Sequence, residues 1–124
     1  MNILHRSKYA VSFIFRGTFR SLSYQIEQLH RRTLIKLSGE DVKPYIQGLV
    51  TNDVNCLENN GCAIYAHFLN NKGRILYDVF LYESAPNELL LECDTYIRDE
   101  IIKHLKIYRV RRKVNIDQFN ANVW

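Results

Sequence analysis

The alternation of apolar and polar residues is clearest between Tyr65 and Tyr82, where two short apolar segments flank a polar turn. The turn Asn70–Gly73 holds residues that accept a positive φ angle, so this stretch predicts a β-hairpin. Asp78 falls on the same strand face as Phe80 and Tyr82, because successive side chains of a strand point to opposite faces. A carboxylate in the middle of an apolar strand is unusual. It is either an exposed or ion-paired side chain or a group that binds a ligand.

The rest of the chain after residue 33 divides into short segments with strand or helix periodicity. A helix is expected after Asp41, and a second one after Asp94, each with that aspartate as its N-cap. The predicted elements are, in chain order, a strand at Thr33–Leu37, a helix at Val42–Val50, strands at Cys62–Leu69, Ile75–Tyr82 and Glu88–Glu92, a helix from Asp94 to Tyr108, and a strand at Val114–Ile116. The order β-α-β-β-β-α-β predicts an α+β fold with two helices on a mostly antiparallel sheet.

Both predicted helices have one apolar side that should pack on the sheet. In the first helix this side includes Tyr45. In the second helix the apolar residues follow the helical repeat and form one stripe, made of Ile97, Ile101, Leu105 and Tyr108.

Charge is distributed unevenly, although 17 basic and 13 acidic residues give a net charge of +4. The first 33 residues carry six basic and one acidic side chain, whereas the remainder carries eleven basic and twelve acidic ones. The excess therefore belongs to the start of the chain, which argues against a general attraction of the body to DNA or RNA. A length of 124 residues with 47% hydrophobic content predicts one folded domain.

The three cysteines, Cys56, Cys62 and Cys93, contain no CxxC pair. Zinc and redox motifs use such close pairs, so neither is indicated, and we expect the thiols to be small buried side chains in a reducing compartment. His67 has no second histidine or acid at ligand spacing. A structural role is therefore favoured for it over a metal ligand or a base, and no catalytic or metal-binding residue is predicted.

Residues 1–26 contain four basic side chains, five serines or threonines and no acid. This composition is typical of a mitochondrial transit peptide, and a secretory signal or a plain disordered terminus is the alternative. The apolar run Tyr9–Phe15 is too short to cross a bilayer, which needs about 20 residues. We therefore expect a leader at 1–26 and a matrix protein without membrane attachment after import.

Several short motifs of the body occur together in one known family. They are Leu49-Val-Thr-Asn-Asp53, Tyr65-Ala-His-Phe-Leu-Asn70, Gly73-Arg74, Tyr77-Asp78-Val79, Leu91-Glu-Cys-Asp94 and Tyr108-Arg-Val-Arg-Arg-Lys-Val114. In these motifs the chain resembles the mitochondrial iron–sulfur cluster assembly factors of the YgfZ-type, folate-binding family, which are relatives of the glycine-cleavage T-protein, an aminomethyltransferase. The resemblance runs from Thr33 to Trp124 and covers the N-terminal part of a T-protein-like domain, truncated at Trp124.

The resemblance implies an accessory role in the maturation of mitochondrial 4Fe–4S proteins such as aconitase and lipoate synthase. It also implies A-type iron–sulfur carriers and 4Fe–4S apoproteins as partners, and tetrahydrofolate as a ligand. The alternative is a folate-dependent aminomethyl or one-carbon transferase. A third possibility is a small nucleic-acid-binding module that uses Arg109, Arg111, Arg112 and Lys113. The same run could instead hold a phosphate, the glutamate tail of a folate or an acidic partner, and a solvated helix end would account for part of these charges.

The resemblance also implies a set of ligand-binding residues on the hairpin. The segment Gly73-Arg-Ile-Leu-Tyr-Asp78 matches the T-protein strand whose acid meets the pterin ring, with Asp78 at one acidic position. Tyr77 replaces a second acid of that strand, and Arg74 replaces a glycine. The predicted folate-binding residues are Asp78, Tyr65, Tyr82, Phe80 and Arg74.

Overall fold

The computed structural model of the chain describes residues 25–58 and 61–124. Its elements are β1 (Arg32–Ser38), α1 (Val42–Gln47), β2 (Ile64–Leu69), β3 (Ile75–Ala85), β4 (Glu88–Asp94), α2 (Arg98–Arg109) and β5 (Asn115–Phe119), with short 3-10 turns at Val54–Glu58 and Thr95–Ile97. The predicted order of strands and helices and the α+β class are confirmed. The transit-peptide prediction falls mainly on residues 1–24, which lie outside the described residues.

The five strands form one sheet in the order β2-β3-β4-β1-β5. Every pairing is antiparallel. The first strand therefore lies inside the sheet, between β4 and β5, although both of these come much later in the chain. This register places Asp78 opposite His67, and Phe80 between Tyr65 of β2 and Glu92 of β4.

One face of the sheet carries the hydrophobic core and is covered by the two helices. The hydroxyl of Tyr45 in α1 donates a hydrogen bond to the carbonyl of Leu105 in α2, which ties the helices together. Burial raises the pKa of Tyr45 to about 12. The buried side chains that form this core include Ile35, Leu37, Ile46, Phe68, Val79, Leu81, Leu89, Leu91 and Ile101. The opposite face, called the outer face below, carries Tyr65, Asp78, Phe80 and Tyr82.

The two aspartates predicted as N-caps make no capping hydrogen bond. Asp41 accepts instead from the backbone N–H of Lys113 at 2.8 Å, and Asp94 accepts from Arg32 at 3.0 Å. The first helix is also shorter than predicted and ends at Gln47. Val50 leaves the helix because it forms an antiparallel bridge with Phe68 of β2.

Tyr108 was predicted to be a core residue, but its side chain is half exposed at the last turn of α2. Ile101 and Leu105 of the same stripe are fully buried. The prediction for the cysteines is right for Cys93, which is buried, and wrong for Cys56 and Cys62, which are exposed. Cys56 lies on the exposed side of the 3-10 turn Val54–Glu58, whose buried side chains are Val54 and Leu57, and Cys62 precedes β2.

None of the helices in the described part of the chain has the length and apolar character needed to cross a membrane.

Candidate functional site

The outer face of the β2–β3 hairpin brings an acid and three aromatic rings together. Tyr65 packs against Phe80 with ring centroids 5.0 Å apart, and against His67 at 4.9 Å. Its hydroxyl lies 3.4 Å from Oδ2 of Asp78. This group, which we call the platform, consists of Tyr65, His67, Asp78 and Phe80. Tyr65 is 46% exposed and Asp78 is also exposed, so a flat ligand can reach both.

Local chemistry at the hairpin tip sets the register of the platform. The side-chain oxygen of Asn70 accepts from the backbone N–H groups of Lys72 and Arg74 at 2.8 and 2.9 Å. Gly73 has a φ of 74°, a value that favours glycine. The predicted turn is therefore confirmed. The turn fixes which residues of β3 face outward, and Asp78 is one of them.

A charged network borders the platform on β1 and β4. Arg32 donates from Nε to Oε1 of Glu92 at 2.8 Å and from Nη1 to Oδ1 of Asp94 at 3.0 Å. The hydroxyl of Tyr82 donates to Oε2 of Glu92 at 2.6 Å. The guanidinium carbon of Arg32 also lies 5.8 Å from the ring centroid of Phe80, which is within the range of a cation–π contact. The network thus connects β1 and β4 to the platform.

Protonation in this network follows from burial and pairing. Glu92 is buried, with 6% of its surface exposed, and its carboxylate is satisfied by Arg32 and Tyr82. Burial by itself would lower the pKa of Arg32, but the hydrogen bonds to Glu92 and Asp94 outweigh it and raise that pKa. Burial and the hydrogen bond to Glu92 raise the pKa of Tyr82. Arg32 therefore keeps its positive charge at neutral pH, and the hydroxyl of Tyr82 keeps its proton.

The five residues predicted from the sequence separate into three groups. Asp78, Tyr65 and Phe80 lie together in the platform. Tyr82 lies on the same face, but its hydroxyl is engaged by Glu92, so it supports the platform from the side. Arg74 belongs to the hairpin turn, where its backbone pairs with Asn70, and no contact joins its side chain to the platform within residues 25–58 and 61–124.

Tyr77, the residue that stands in place of a second acid, faces the core side of the sheet. It packs with Phe68 and His104, at centroid distances of 6.4 and 6.0 Å. Burial and the neighbouring Glu100 raise its pKa. An acid at this position would be directed away from the platform, which therefore has Asp78 as its acid.

Sequence reasoning missed Arg32, Glu92 and Asp94. A signal for Glu92 was present, since it interrupts the apolar run Leu89–Cys93 as Asp78 interrupts the third strand. Arg32 gave no such signal, because it stands next to Arg31 at the end of a basic segment. In the part of the chain that the structure describes, no three His, Cys, Asp or Glu side chains gather in a way that could hold a metal ion.

The fold places the chain in a known structural class. It is similar to the crystal structure of glycine cleavage system aminomethyltransferase T from Bartonella henselae, with a TM-score of 0.67 and 17% identity. The similarity covers 74% of this chain and 25% of that protein. The fold is thus of the aminomethyltransferase T type, as the resemblance in sequence predicted. A scan against protein-family models gave no match.

Comparison of the sequence with curated proteins identifies a narrower group of relatives than the fold does. The chain is 41% identical over 109 residues to the human mitochondrial iron-sulfur cluster assembly factor IBA57, a match that covers 78% of this chain and 31% of the relative. It is 40% identical over 111 residues to the mouse protein of that name, again with 78% of this chain and 31% of the relative covered. The homologue from Pyricularia oryzae is 39% identical over 102 residues, which cover 77% of this chain and 26% of that protein.

The chain is a homologue of these mitochondrial iron–sulfur cluster assembly factors. The resemblance found in the motifs is therefore confirmed, and the mitochondrial location predicted from the sequence agrees with the names of the relatives. The chain spans less than a third of the length of the curated relatives described here.

Proposed function

We propose that this chain contributes to the maturation of mitochondrial iron–sulfur proteins as an accessory factor, and that its platform binds a folate-type ligand. The observation that carries the first part is the identity of about two residues in five to iron–sulfur cluster assembly factors over 109 residues. The 4Fe–4S apoproteins, aconitase among them, are the proposed targets. A-type iron–sulfur carriers are the proposed partners.

The geometry of the platform supports the second part. A pterin ring is flat and presents several N–H donors on one edge. The exposed carboxylate of Asp78 can accept such donors, and the ring of Tyr65 beside it offers an aromatic surface at the open edge of the sheet. Arg32 and Tyr82 are held by Glu92 and stay out of direct contact with the ligand.

Binding is tested with tetrahydrofolate and the 124-residue chain by isothermal titration calorimetry. Asp78→Asn keeps the shape of the side chain but removes its charge. We expect it to weaken binding about tenfold to a hundredfold, which corresponds to the loss of one charge-assisted hydrogen bond. Asp117→Asn is the matched control, because Asp117 is an exposed acid on β5 at the other edge of the same sheet. Equal effects of the two substitutions would refute a role of Asp78 in binding.

The cellular role is tested separately by depleting the protein in its own cells. We expect the activity of aconitase and the amount of lipoylated proteins to fall, because both depend on 4Fe–4S clusters. Subunits of the respiratory chain that carry no cluster serve as the control. Normal aconitase activity together with normal lipoylation would rule out the proposed role, whatever the calorimetry gives.

Aminomethyl transfer is the alternative activity, and the platform favours ligand binding over it. A transferase of the T-protein type is expected to use the second acid of the strand, whereas Tyr77 stands there and packs into the core side. Formation of methylene-tetrahydrofolate from an aminomethyl donor by the purified protein would support the alternative.

A further inference from the structure

A shallow groove lies on the side of the molecule where the hairpin tip meets the end of α2. Its volume is about 380 Å³, and its walls include Leu49, Thr51, Leu69, Asn71, His104 and Tyr108. The platform residues take no part in it. This volume lies near the lower end of the range of small-molecule pockets, and it is large enough for one aromatic or large aliphatic side chain.

The walls of this groove combine apolar and aromatic side chains with the polar side chains of Thr51, Asn70 and Asn71. The side chains of Leu69 and Tyr108 are 38% and 49% exposed, so a large part of their surface is in contact with water. Burial lowers the pKa of His104, and its ring is therefore neutral at pH 7. Its centroid lies 4.6 Å from that of Tyr108 and 5.6 Å from that of Phe68. An uncharged aromatic or large aliphatic group is the occupant that these walls favour.

A run of positive charge continues from the groove along the chain. Between Ile101 and Ile116 there are six lysines or arginines and no acid. Lys113 pairs with Glu40 at the surface, and Arg109 donates to a backbone carbonyl. Arg111 and Arg112 make no ion pair with any residue that the structure describes. Uncompensated charges of one sign attract a partner of the opposite sign.

Val110 sits in the same segment in an unfavourable conformation. Its φ of 47° and ψ of −110° are rare for a β-branched residue, and the turn is closed by the N–H of Arg112, which donates to the carbonyl of Arg109 at 2.9 Å. Val110 is also 82% exposed, so no packing in the described residues offsets this strain. Strained, exposed apolar residues of this kind are found at binding surfaces.

The apolar residues separate a protein partner from a nucleic acid. Ile107 and Val110 are both strongly exposed beside the charges, and aliphatic side chains neither stack on bases nor bind phosphate. Residues 34–124 also carry one more acid than base, so they have no general attraction to a polyanion. The first 26 residues of this chain have four basic side chains and no acid, which makes them an unsuitable occupant.

We infer that the groove and the loop Arg109–Lys113 together form a docking surface for an acidic polypeptide segment with one aromatic or large aliphatic side chain. The apolar side chain enters the groove between Leu69 and Tyr108. The acidic residues beside it pair with Arg111 and Arg112. The side chains that line this surface are different from those of the platform, and its existence does not require that a folate is bound.

The test uses fluorescein-labelled peptides of twelve residues and the 124-residue chain. One peptide contains Glu and Ser with a central Phe, a second has Ser in place of the Phe, and a dodecamer of thymidine nucleotides represents nucleic acid. Fluorescence anisotropy should show that the peptide with Phe binds about tenfold more tightly than the one without it, in keeping with burial of one aromatic side chain. Equal binding of both peptides, tighter binding of the oligonucleotide, or binding of none would overturn the inference.

Variants assign the two halves of the surface. Arg111→Ser/Arg112→Ser should weaken binding of the Phe peptide about tenfold, as expected for the loss of two charge pairs. Arg31→Glu changes the net charge by the same amount at an exposed site on another part of the molecule, and it should change binding less than about twofold. Tyr108→Ala should remove the preference for the Phe peptide while the binding of the Ser peptide stays unchanged. Equal losses in the double variant and in Arg31→Glu, or a preference that survives Tyr108→Ala, would contradict the assignment. Circular dichroism checks that each variant is folded.

Discussion

Removal of Arg32 provides the most direct test of the charged network on the outer face. Its side chain and that of Glu92 are only 16% and 8% exposed, and the two are joined at 2.8 Å. Arg32→Met keeps much of the apolar stem but leaves the Glu92 carboxylate buried with Tyr82 as its remaining partner. The substitution should therefore cost more stability than the loss of a surface ion pair.

The expected magnitude follows from burial and from the number of bonds lost. Breaking a fully buried ion pair costs about 3–5 kcal/mol, and the second bond of Arg32, to Asp94, is closer to the surface. Since Arg32 keeps some contact with water, we expect Arg32→Met to lower the free energy of unfolding by about 2–4 kcal/mol. Arg32→Lys keeps the charge but cannot bind both acids in the same way, and it should lose about half of that.

A double-mutant cycle with Glu92→Met separates the pair from its surroundings. The double variant Arg32→Met/Glu92→Met removes both charges, and it should be no less stable than Arg32→Met alone, with a coupling of about 2 kcal/mol. Unfolding in urea followed by circular dichroism gives each free energy, and Arg31→Met at the exposed neighbouring position is the control. The free energy of unfolding of Arg32→Met could lie within about 0.5 kcal/mol of the wild-type value, or the effects of the two substitutions could simply add. Either result would show that the network does not stabilise the sheet as we describe.

Three further outcomes are expected. Burial lowers the pKa of His104, so the unfolded chain takes up a proton at a higher pH than the folded chain does. Above about pH 7 the histidine is neutral in both states, and protonation does not reduce the free energy of unfolding. As the pH falls below about 6.5, the unfolded chain binds the proton first, and the free energy of unfolding decreases. Urea unfolding of His104→Phe should accordingly lose less stability between pH 7.5 and 5.5 than the wild type, and parallel curves would contradict this. Val110→Gly should raise the free energy of unfolding by about 1 kcal/mol, because glycine accepts the positive φ at that position, and a lower urea midpoint would show that the turn is not strained. Cys56 and Cys62 should react with a thiol reagent in the native protein, because both are exposed. Cys93 should react only on unfolding, because it is buried and burial raises its pKa to about 11. Fast reaction of all three thiols in the native protein at pH 8 would contradict the structure.

The parts of the fold that were predictable from the sequence depend on neighbours along the chain. The hairpin is the clearest case, because Asn70 and Gly73 set the turn within four residues and thereby orient Asp78. Periodicity alone likewise gave the buried side of α2 at Ile101 and Leu105. In both cases the residues that determine the local structure are close neighbours along the chain.

The parts that were not predictable depend on which strands become neighbours. Arg32 and Glu92 are 60 residues apart, and Asp41 and Lys113 are 72 apart. Nothing in the local pattern indicates that β1 lies beside β4. The two aspartates were therefore predicted as helix caps, when distant donors occupy their carboxylates. The prediction for Tyr108 was wrong because the helical repeat continues into the last turn of α2, where its ring packs on His104 and stays half exposed.

The strand order has a consequence for how the chain reaches its native state. β2, β3 and β4 follow each other and can form a meander from one contiguous segment, whereas β1 pairs only with β4 and β5. The strand that leaves the ribosome first, or enters an organelle first, must wait until most of the body has followed. During that time the apolar segment Thr33–Leu37 has no partner, and closing such long loops slows folding. We therefore expect β1 to be among the last strands to gain protection in pulsed hydrogen exchange during refolding.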